Sequence, residues 1–392
     1  MKVHESFLIS VLADYVNCRK SSAIPENCDM EAFAQCAAEQ GVGGIAYVQC
    51  RDAEGMKPEA LSSLHNRFIS DVFRSTCFSE DYAELCAALR GAEIPFLQMK
   101  GPALAKYHAA PQLRTMGDID LVIHREDRMP VHELLTGMGY EHYIDNPVVW
   151  TYKRDEVSYE IHDRMFYEKL SNDVDYMAYF DRVWEHELEG EIQPEFQFLY
   201  LMTHTAKHIT NRGSGLRPFL DMAFMAQREN LDWRYIENEL KALKLLDFSK
   251  RCFALCEDWF GVDMPLEKDG IDRDFLNFAT EKVFADGLFG LENEENQFGA
   301  LAKKLQREDE AYVRSAAGMM LGKLFPAYDD MRLVEQYSFL NGRKWLLPAA
   351  WFYRFGYCAV NKLPHSVKDL AEPVAKKKEI DARREYIRKW GL

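Results

Sequence analysis

The stretch IPFLQMKGPALAKYHAAPQLRTMGDIDLVI, residues 94–123, decides the fold. Its opening, IPFLQM (94–99), is an apolar run of strand length. KGPALAKYH (100–108) reads as the start of a helix, with Pro102 suited to the first turn. DIDLVI (118–123) alternates at its start and then turns wholly apolar, the pattern of a strand buried on its way into a sheet.

Downstream, EDRMPVHELLTGMG (126–139) reads as a helix stopped by glycine, with Pro130 in its first turn. YEHYI (140–144), VVWTYK (148–153) and VSYEIH (157–162) read as three short strands. The order β-α-β-α-β-β-β predicts a small mixed sheet with helices. Upstream, residues 1–90 read as helices. Asp29 is a candidate N-cap, GVGG (41–44) a helix stop, and Gly91 the end of the last of these helices. After 165 the chain reads as helical, most clearly at 195–209, 217–227 and 238–260, while LENEENQF (291–298) reads as a solvated loop. The expected class is therefore α+β. It divides as an N-terminal helical segment (1–90), a sheet-bearing core (91–165) and a larger C-terminal helical domain (166–392).

Composition narrows the function. The 392 residues carry 48 Lys+Arg against 63 Asp+Glu, a formal charge of −15. Such a chain does not grip double-stranded DNA through general phosphate attraction. The basic segment 362–392, with 9 Lys/Arg against 5 Asp/Glu, is expected to be a solvated face. The nine cysteines include no CxxC pair, and no secretory leader follows Met1, so reduced thiols in a cytoplasmic protein are expected. The longest apolar run, LLPAAWFYRFGYCAV (346–360), is interrupted by Arg354 and reads as a buried helix, not a membrane span. The aromatic residues from Trp345 to Tyr357 are expected in a core.

Chemistry concentrates around Asp118 and Asp120. Carboxylates two apart on a strand leave from one face, repel each other, and need a counter-charge. A divalent cation supplies one, and Mg²⁺ typically sits on one or two carboxylates plus substrate phosphates. Lys100-Gly101-Pro102 lies between a strand and a helix, where glycine lets a phosphate approach the backbone. Glu160 adds a carboxylate on a later strand, and His162 shares its face. Arg114 reads as a phosphate contact or as an ion-pair partner of Asp118 or Asp120. On one predicted helix, His204 and His208 share a face at i and i+4, with Lys207 beside them. They are expected to reach a cleft or to pack against the sheet. HExxH is absent because Thr205 follows the first histidine. Arg217 and Asp221, also four apart, read as a helix salt bridge, with a nucleotide contact by Arg217 as the alternative. NRGSG (211–215) reads as a flexible connection, and no GK[ST] is present.

Taken together, Met99-Lys100-Gly101, Leu104, Tyr107, Arg114, Asp118-Ile119-Asp120-Leu121-Val122-Ile123 and Tyr159-Glu160-Ile161-His162 resemble the bacterial "uncharacterised nucleotidyltransferase" family of the polymerase-β-like superfamily. HTAKH (204–208) and RPFLD (217–221) extend the resemblance, which spans roughly 30–230. Gly101-Pro102 stands where the superfamily often has Gly-Ser or Gly-Gly. The resemblance implies a polymerase-β-like sheet and Mg²⁺- or Mn²⁺-dependent transfer of a nucleoside monophosphate from an NTP to an acceptor hydroxyl. The acceptor would be a small molecule, a protein or RNA. Asp118, Asp120 and Glu160 would hold metal and carry catalysis. Lys100, Gly101, Arg114, His162, His204, Lys207, His208 and Arg217 would contact the nucleotide. Two other readings stand beside it: a metal-dependent phosphohydrolase using the histidines and aspartates, and a non-catalytic NTP-binding or toxin–antitoxin-type interaction protein.

Overall fold

A computed structural model of the chain describes residues 1–288 except 146, 147, 171 and 269, together with 325, 328–331, 335–340, 343–361 and 377–392. The chain divides into two units, residues 1–296 with 387–392, and residues 297–386.

The first unit begins with helices α1 (Val3–Val16), α2 (Met30–Glu39), α3 (Gly43–Cys50) and the 34-residue α4 (Pro58–Gly91). Asp29 caps α2, accepting from the amides of Glu31 and Ala32 at 3.1 and 3.2 Å. The GVGG stretch has two uses. Gly41 ends α2 at φ +69°, whereas Gly43 and Gly44 lie inside α3 against the side chains of Arg67 and Asp71 on α4. α4 ends at Gly91 as expected, but the residue that turns left-handed after it is Glu93.

Five strands follow: β1 (Phe96–Gln98), β2 (Ile119–Ile123), β3 (Glu141–Asp145), β4 (Val149–Arg154) and β5 (Val157–His162). Their spatial order is β1-β2-β5-β4-β3. Only β2 and β5 pair in parallel; the other neighbours are antiparallel. The single-turn α5 (Pro102–Ala105) and α6 (Arg128–Gly137) interrupt the strands. The fold is thus α+β with a small mixed sheet, as read. Strand alternation sends Ile119, Leu121, Ile123, Tyr159 and Ile161 to one face, where they pack with Phe78, Leu85 and Leu89 of α4 and Val131 and Leu135 of α6. The even-numbered residues of β2 and β5 face the other way.

Helices α7 (Tyr176–Phe180), α8 (Pro194–Asn211), α9 (Arg217–Arg228), α10 (Trp233–Ala242), α11 (Leu246–Phe260) and α12 (Arg273–Asp286) follow, and residues 387–392, with Ile387 and Trp390 buried, complete this unit. Three departures from the sequence reading occur here. The helix expected over 238–260 is two, because Lys244 turns left-handed at φ +53° and breaks it. A small hairpin, β6 (Glu187–Leu188) with β7 (Glu191–Ile192), turns through Glu189 and Gly190 at φ +54° and +84°. Residues 211–215, read as a flexible connection, form a packed corner. A Cβ on Gly215 would stand 2.7 Å from the Gly287 carbonyl oxygen.

In the second unit, Met331, Tyr337, Leu340 and Ala350 form a small core. The apolar run after 346 does form a helix, Leu347–Asn361, but Trp345, Phe352 and Tyr353 are exposed, which corrects the expectation that they lie in a core. Residues 291–298, expected to be solvated, and residues 362–376 lie outside the described residues. The described cysteines are free thiols. Among the described residues no helix is long and apolar enough to cross a membrane.

Candidate active site

The parallel register of β2 and β5 sets Asp120 directly beside Glu160, and His162 follows two residues on from the same face. Two carboxylates held on neighbouring strands repel, and cationic or hydrogen-bonding groups fill the space between them. His162 Nε2 lies 3.2 Å from Asp120 Oδ1 and 3.5 Å from Glu160 Oε2. Lys100 Nζ lies 2.8 Å from the same Asp120 Oδ1. Asp120 Oδ2 is buried with no hydrogen-bond partner, as is His162 Nδ1. Burial alone would push the Asp120 carboxyl up, but Lys100 and His162 outweigh it and hold the group ionised.

Lys100 reaches this place because the ladder continues past β1. The Met99 amide donates to the Asp120 carbonyl at 3.0 Å, which holds the chain beside Asp120 as it leaves the strand at Lys100. Gly101 then turns the chain at φ +70°. The helix that starts here has little to offer a phosphate by its dipole, because α5 is one turn long. Burial works against the Lys100 ammonium, yet Asp120 raises it above its ordinary range.

Asp118 stands just ahead of β2, half-buried. Its carboxylate makes no hydrogen bond or ion pair among the described residues. Burial, and then the charge of Asp120, push it up to about 6, against the pull of Lys100 and Arg217.

Helix α8 covers this face with a polar stripe on an otherwise buried helix. Gln197, Tyr200, His204, Lys207, His208 and Asn211 recur three or four apart. Gln197 Nε2 donates to the Met99 carbonyl at 2.6 Å and ties α8 to the end of β1. His204 Nε2 lies 3.4 Å from Lys100 Nζ. The His204 and His208 rings are 4.4 Å apart, and burial together with nearby cations depresses both, His208 to about 3. Both are therefore neutral at physiological pH. Lys207 pairs with Glu168 at 3.1 Å and lies over the Tyr167 ring.

Neither arginine pairs as its spacing suggests. Arg114 does not pair with Asp118 or Asp120. It binds both oxygens of Asp221, at 2.7 and 2.8 Å, deep in the structure, and His108 Nε2 meets Asp221 Oδ1 at 2.8 Å. Asp221 is therefore taken, and the helix salt bridge expected with Arg217 does not form. Arg217 instead donates from Nη1 to the Thr115 carbonyl at 3.0 Å. Burial and the Arg114 charge lower it, while Asp221, and then Asp118 and Asp120, favour its cation.

The structure thus brings Lys100, Asp118, Asp120, Glu160, His162, His204 and Arg217 into one neighbourhood and leaves Arg114 outside it. Sequence reading missed Gln197 and Tyr200. The signal was present, since Gln197 sits seven residues before His204 and so on the same helix face. Ligand atoms of Asp120, Glu160 and His162 all lie within 4.8 Å of one another. Two carboxylates and an imidazole whose ligand atoms meet this closely fit a divalent cation, and the mixed oxygen–nitrogen set suits Mn²⁺ as well as Mg²⁺.

Residues 26–261 match the protein-family model described as uncharacterised nucleotidyltransferase. No curated protein and no solved structure matches the chain.

Proposed function

The chain belongs to the uncharacterised nucleotidyltransferase family, and on that premise we propose that the site transfers a nucleoside monophosphate from an NTP to an acceptor hydroxyl with the help of Mg²⁺ or Mn²⁺. The observation that carries this reading is the face shared by Asp120, Glu160 and His162, whose ligand atoms lie within 4.8 Å of one another, with Asp118 near enough to feel the charges of Asp120 and Glu160. Asp118, Asp120 and Glu160 would hold the cation, which when bound neutralises triphosphate charge and activates a hydroxyl. In the transfer, the acceptor oxygen bonds to the α-phosphorus and the bond from that phosphorus to the bridging oxygen breaks. Pyrophosphate leaves, and Glu160 would either complete the cation site or take the hydroxyl proton. Arg217, with a single hydrogen bond among the described residues, is the cation best disposed to meet phosphate. Lys100 and the α8 stripe supply further polar contacts, while Lys207 is already engaged by Glu168. We also propose that residues 91–165 are the catalytic core, with 1–90 and 166–392 as its helical flanks. The phosphohydrolase reading would need His204 and His208 among the ligands, and neither joins the Asp120 cluster.

The test is thermal stabilisation by each NTP with and without Mg²⁺, on the wild type and on Asp118→Asn and Asp120→Asn. Metal-dependent stabilisation of the wild type alone supports the reading and justifies a search for the acceptor with α-labelled NTP. If stabilisation survives in both variants, the aspartates are not the nucleotide–metal site. Binding without transfer to any acceptor would favour the non-catalytic alternative.

A further inference from the structure

We propose that Lys100 is a built-in competitor for the cation position and that His204 is its second berth. Cation binding would then be an exchange that moves the Lys100 ammonium from Asp120 to α8. This rests on the reading of Asp120, Glu160 and His162 as a cation site. Lys100 Nζ lies 2.8 Å from Asp120 Oδ1, the distance of a charge-assisted hydrogen bond. A divalent ion sharing that carboxylate would face an ammonium at close range, and like charges so placed in a partly buried site exclude each other. The ammonium also cannot be stranded without an acceptor, because a buried unpaired charge is strongly unfavourable. His204 Nε2, 3.4 Å away on the opposite wall, meets that need when the ring carries its proton on Nδ1. Gln197, bonded to the Met99 carbonyl, fixes α8 at the distance that lets one lysine span both acceptors.

The arrangement has a consequence for order of binding. A bare divalent ion must displace Lys100, so it binds weakly. An ion that arrives with a triphosphate brings anionic oxygens that can receive the ammonium as well. The site would therefore favour the metal–nucleotide complex over the free metal, and Lys100 would be a positioning residue that sets this preference.

The test is Mn²⁺ binding without nucleotide, followed by the paramagnetic resonance signal of the free ion. Lys100→Met should bind Mn²⁺ about tenfold or more tighter than the wild type. Lys100→Gln, which keeps a neutral donor to Asp120, should also gain and covers the case in which the methionine variant does not fold. His204→Phe should bind about threefold or more weaker, because the lysine has lost its second berth, and His204→Gln, which keeps an acceptor, should restore binding. The Lys100→Met/His204→Phe double variant should match Lys100→Met. If the Lys100 variants bind no tighter while Asp120→Asn abolishes binding, the exchange is wrong and the metal site stands. A His204→Phe loss that persists in the double variant overturns the berth. If Asp120→Asn binds like wild type, the metal site and the exchange fail together.

Discussion

Arg114 donates to both carboxylate oxygens of Asp221, from Nε at 2.7 Å and from Nη2 at 2.8 Å, across 107 residues of sequence. Both side chains are almost fully buried. The pair joins the loop ahead of β2 to helix α9, so it fixes where Asp118 and Arg217 stand. His108 completes the set from the same loop.

Breaking that pair from one side should be severe, because it strands a charge in the interior. Asp221→Ala is expected to lower the unfolding free energy by about 3–5 kcal/mol. Asp221→Asn, which keeps an acceptor for one Arg114 donor, should lose less. Urea denaturation measures both. A loss below about 1 kcal/mol for the alanine variant would mean that the pair does not hold the loop to α9.

Asp118 should behave in the opposite sense. Its carboxyl is pushed up to about 6 from an ordinary 3.8, so the folded state retains a proton that the unfolded chain releases. Stability therefore falls as pH rises from about 4 to 6, and the penalty is complete above that window. In chelator-treated protein, Asp118→Asn should be more stable than wild type at pH 7.5 by about 1 kcal/mol, allowing for its partial contact with water. The gain should vanish near pH 4. Melting temperatures at the two pH values decide it, and an equal shift at both would show that the carboxylate charge is not the cause. Loss of transfer activity alongside gained stability would be the mark of a group kept for function.

Gln40 holds three elements at one point. Its amide nitrogen donates to the carbonyls of Val283 and Phe284, and its oxygen accepts from the Leu216 amide at 3.0 Å. The residue is 1% exposed. Gln40→Ala leaves those backbone groups unpaired in the interior, and each such group costs about 1–3 kcal/mol. A total loss of about 2–4 kcal/mol in chemical denaturation is expected, and Gln40→Glu should also lose stability by burying a charge.

The sequence announced the sheet because alternation is local: Ile119, Leu121 and Ile123 against Asp120 is a pattern that any core would impose. The same logic placed Glu160 and His162 on one face, and the structure sets them beside Asp120. What could not be read was pairing at long range. Arg217 and Asp221 have helix-pair spacing, but Arg114 and His108 satisfy Asp221 from a loop over a hundred residues upstream, and a bidentate buried partner outweighs a surface i,i+4 contact of a few tenths of a kcal/mol. The break at Lys244 was hidden for a different reason. A left-handed turn is usually flagged by glycine or asparagine, and lysine carries no such signal. The packed corner at 211–215 looked flexible because glycines serve close approach as well as mobility, and only the neighbours of Gly215 show which.

Gly101 is a glycine whose conformation is the reason for it. At φ +70° an L side chain is strained, while the space is adequate: an added Cβ would lie 3.4 Å from the Asp118 carbonyl oxygen and from Met116 Sδ. Gly101→Ala should therefore cost about 1–2 kcal/mol from backbone strain and little from clash. With ψ at −117° the residue lies outside the left-handed helical well, so asparagine should cost about as much as alanine. If alanine proves to cost nothing, the turn relaxes and Lys100 is not held by it.

Arg217 and Arg114 give the sharpest contrast for binding. Among the described residues Arg217 makes one hydrogen bond, to the Thr115 carbonyl, and its charge is disfavoured first by burial and then by Arg114. A guanidinium in that state stabilises the free protein little and has donors left for an anion. Arg217→Met should change the unfolding free energy by less than about 1 kcal/mol, because a desolvated charge is removed along with one hydrogen bond. NTP affinity, measured by calorimetry with Mg²⁺ present, should fall about 10- to 50-fold, the worth of a charge-assisted contact of roughly 1.5–2.5 kcal/mol. Arg114→Met should do the reverse at the level of stability, since Asp221 would be left buried and unpaired, with a loss of about 3–5 kcal/mol. Equal destabilisation by the two substitutions, or an NTP affinity untouched in Arg217→Met, would remove Arg217 from the phosphate site.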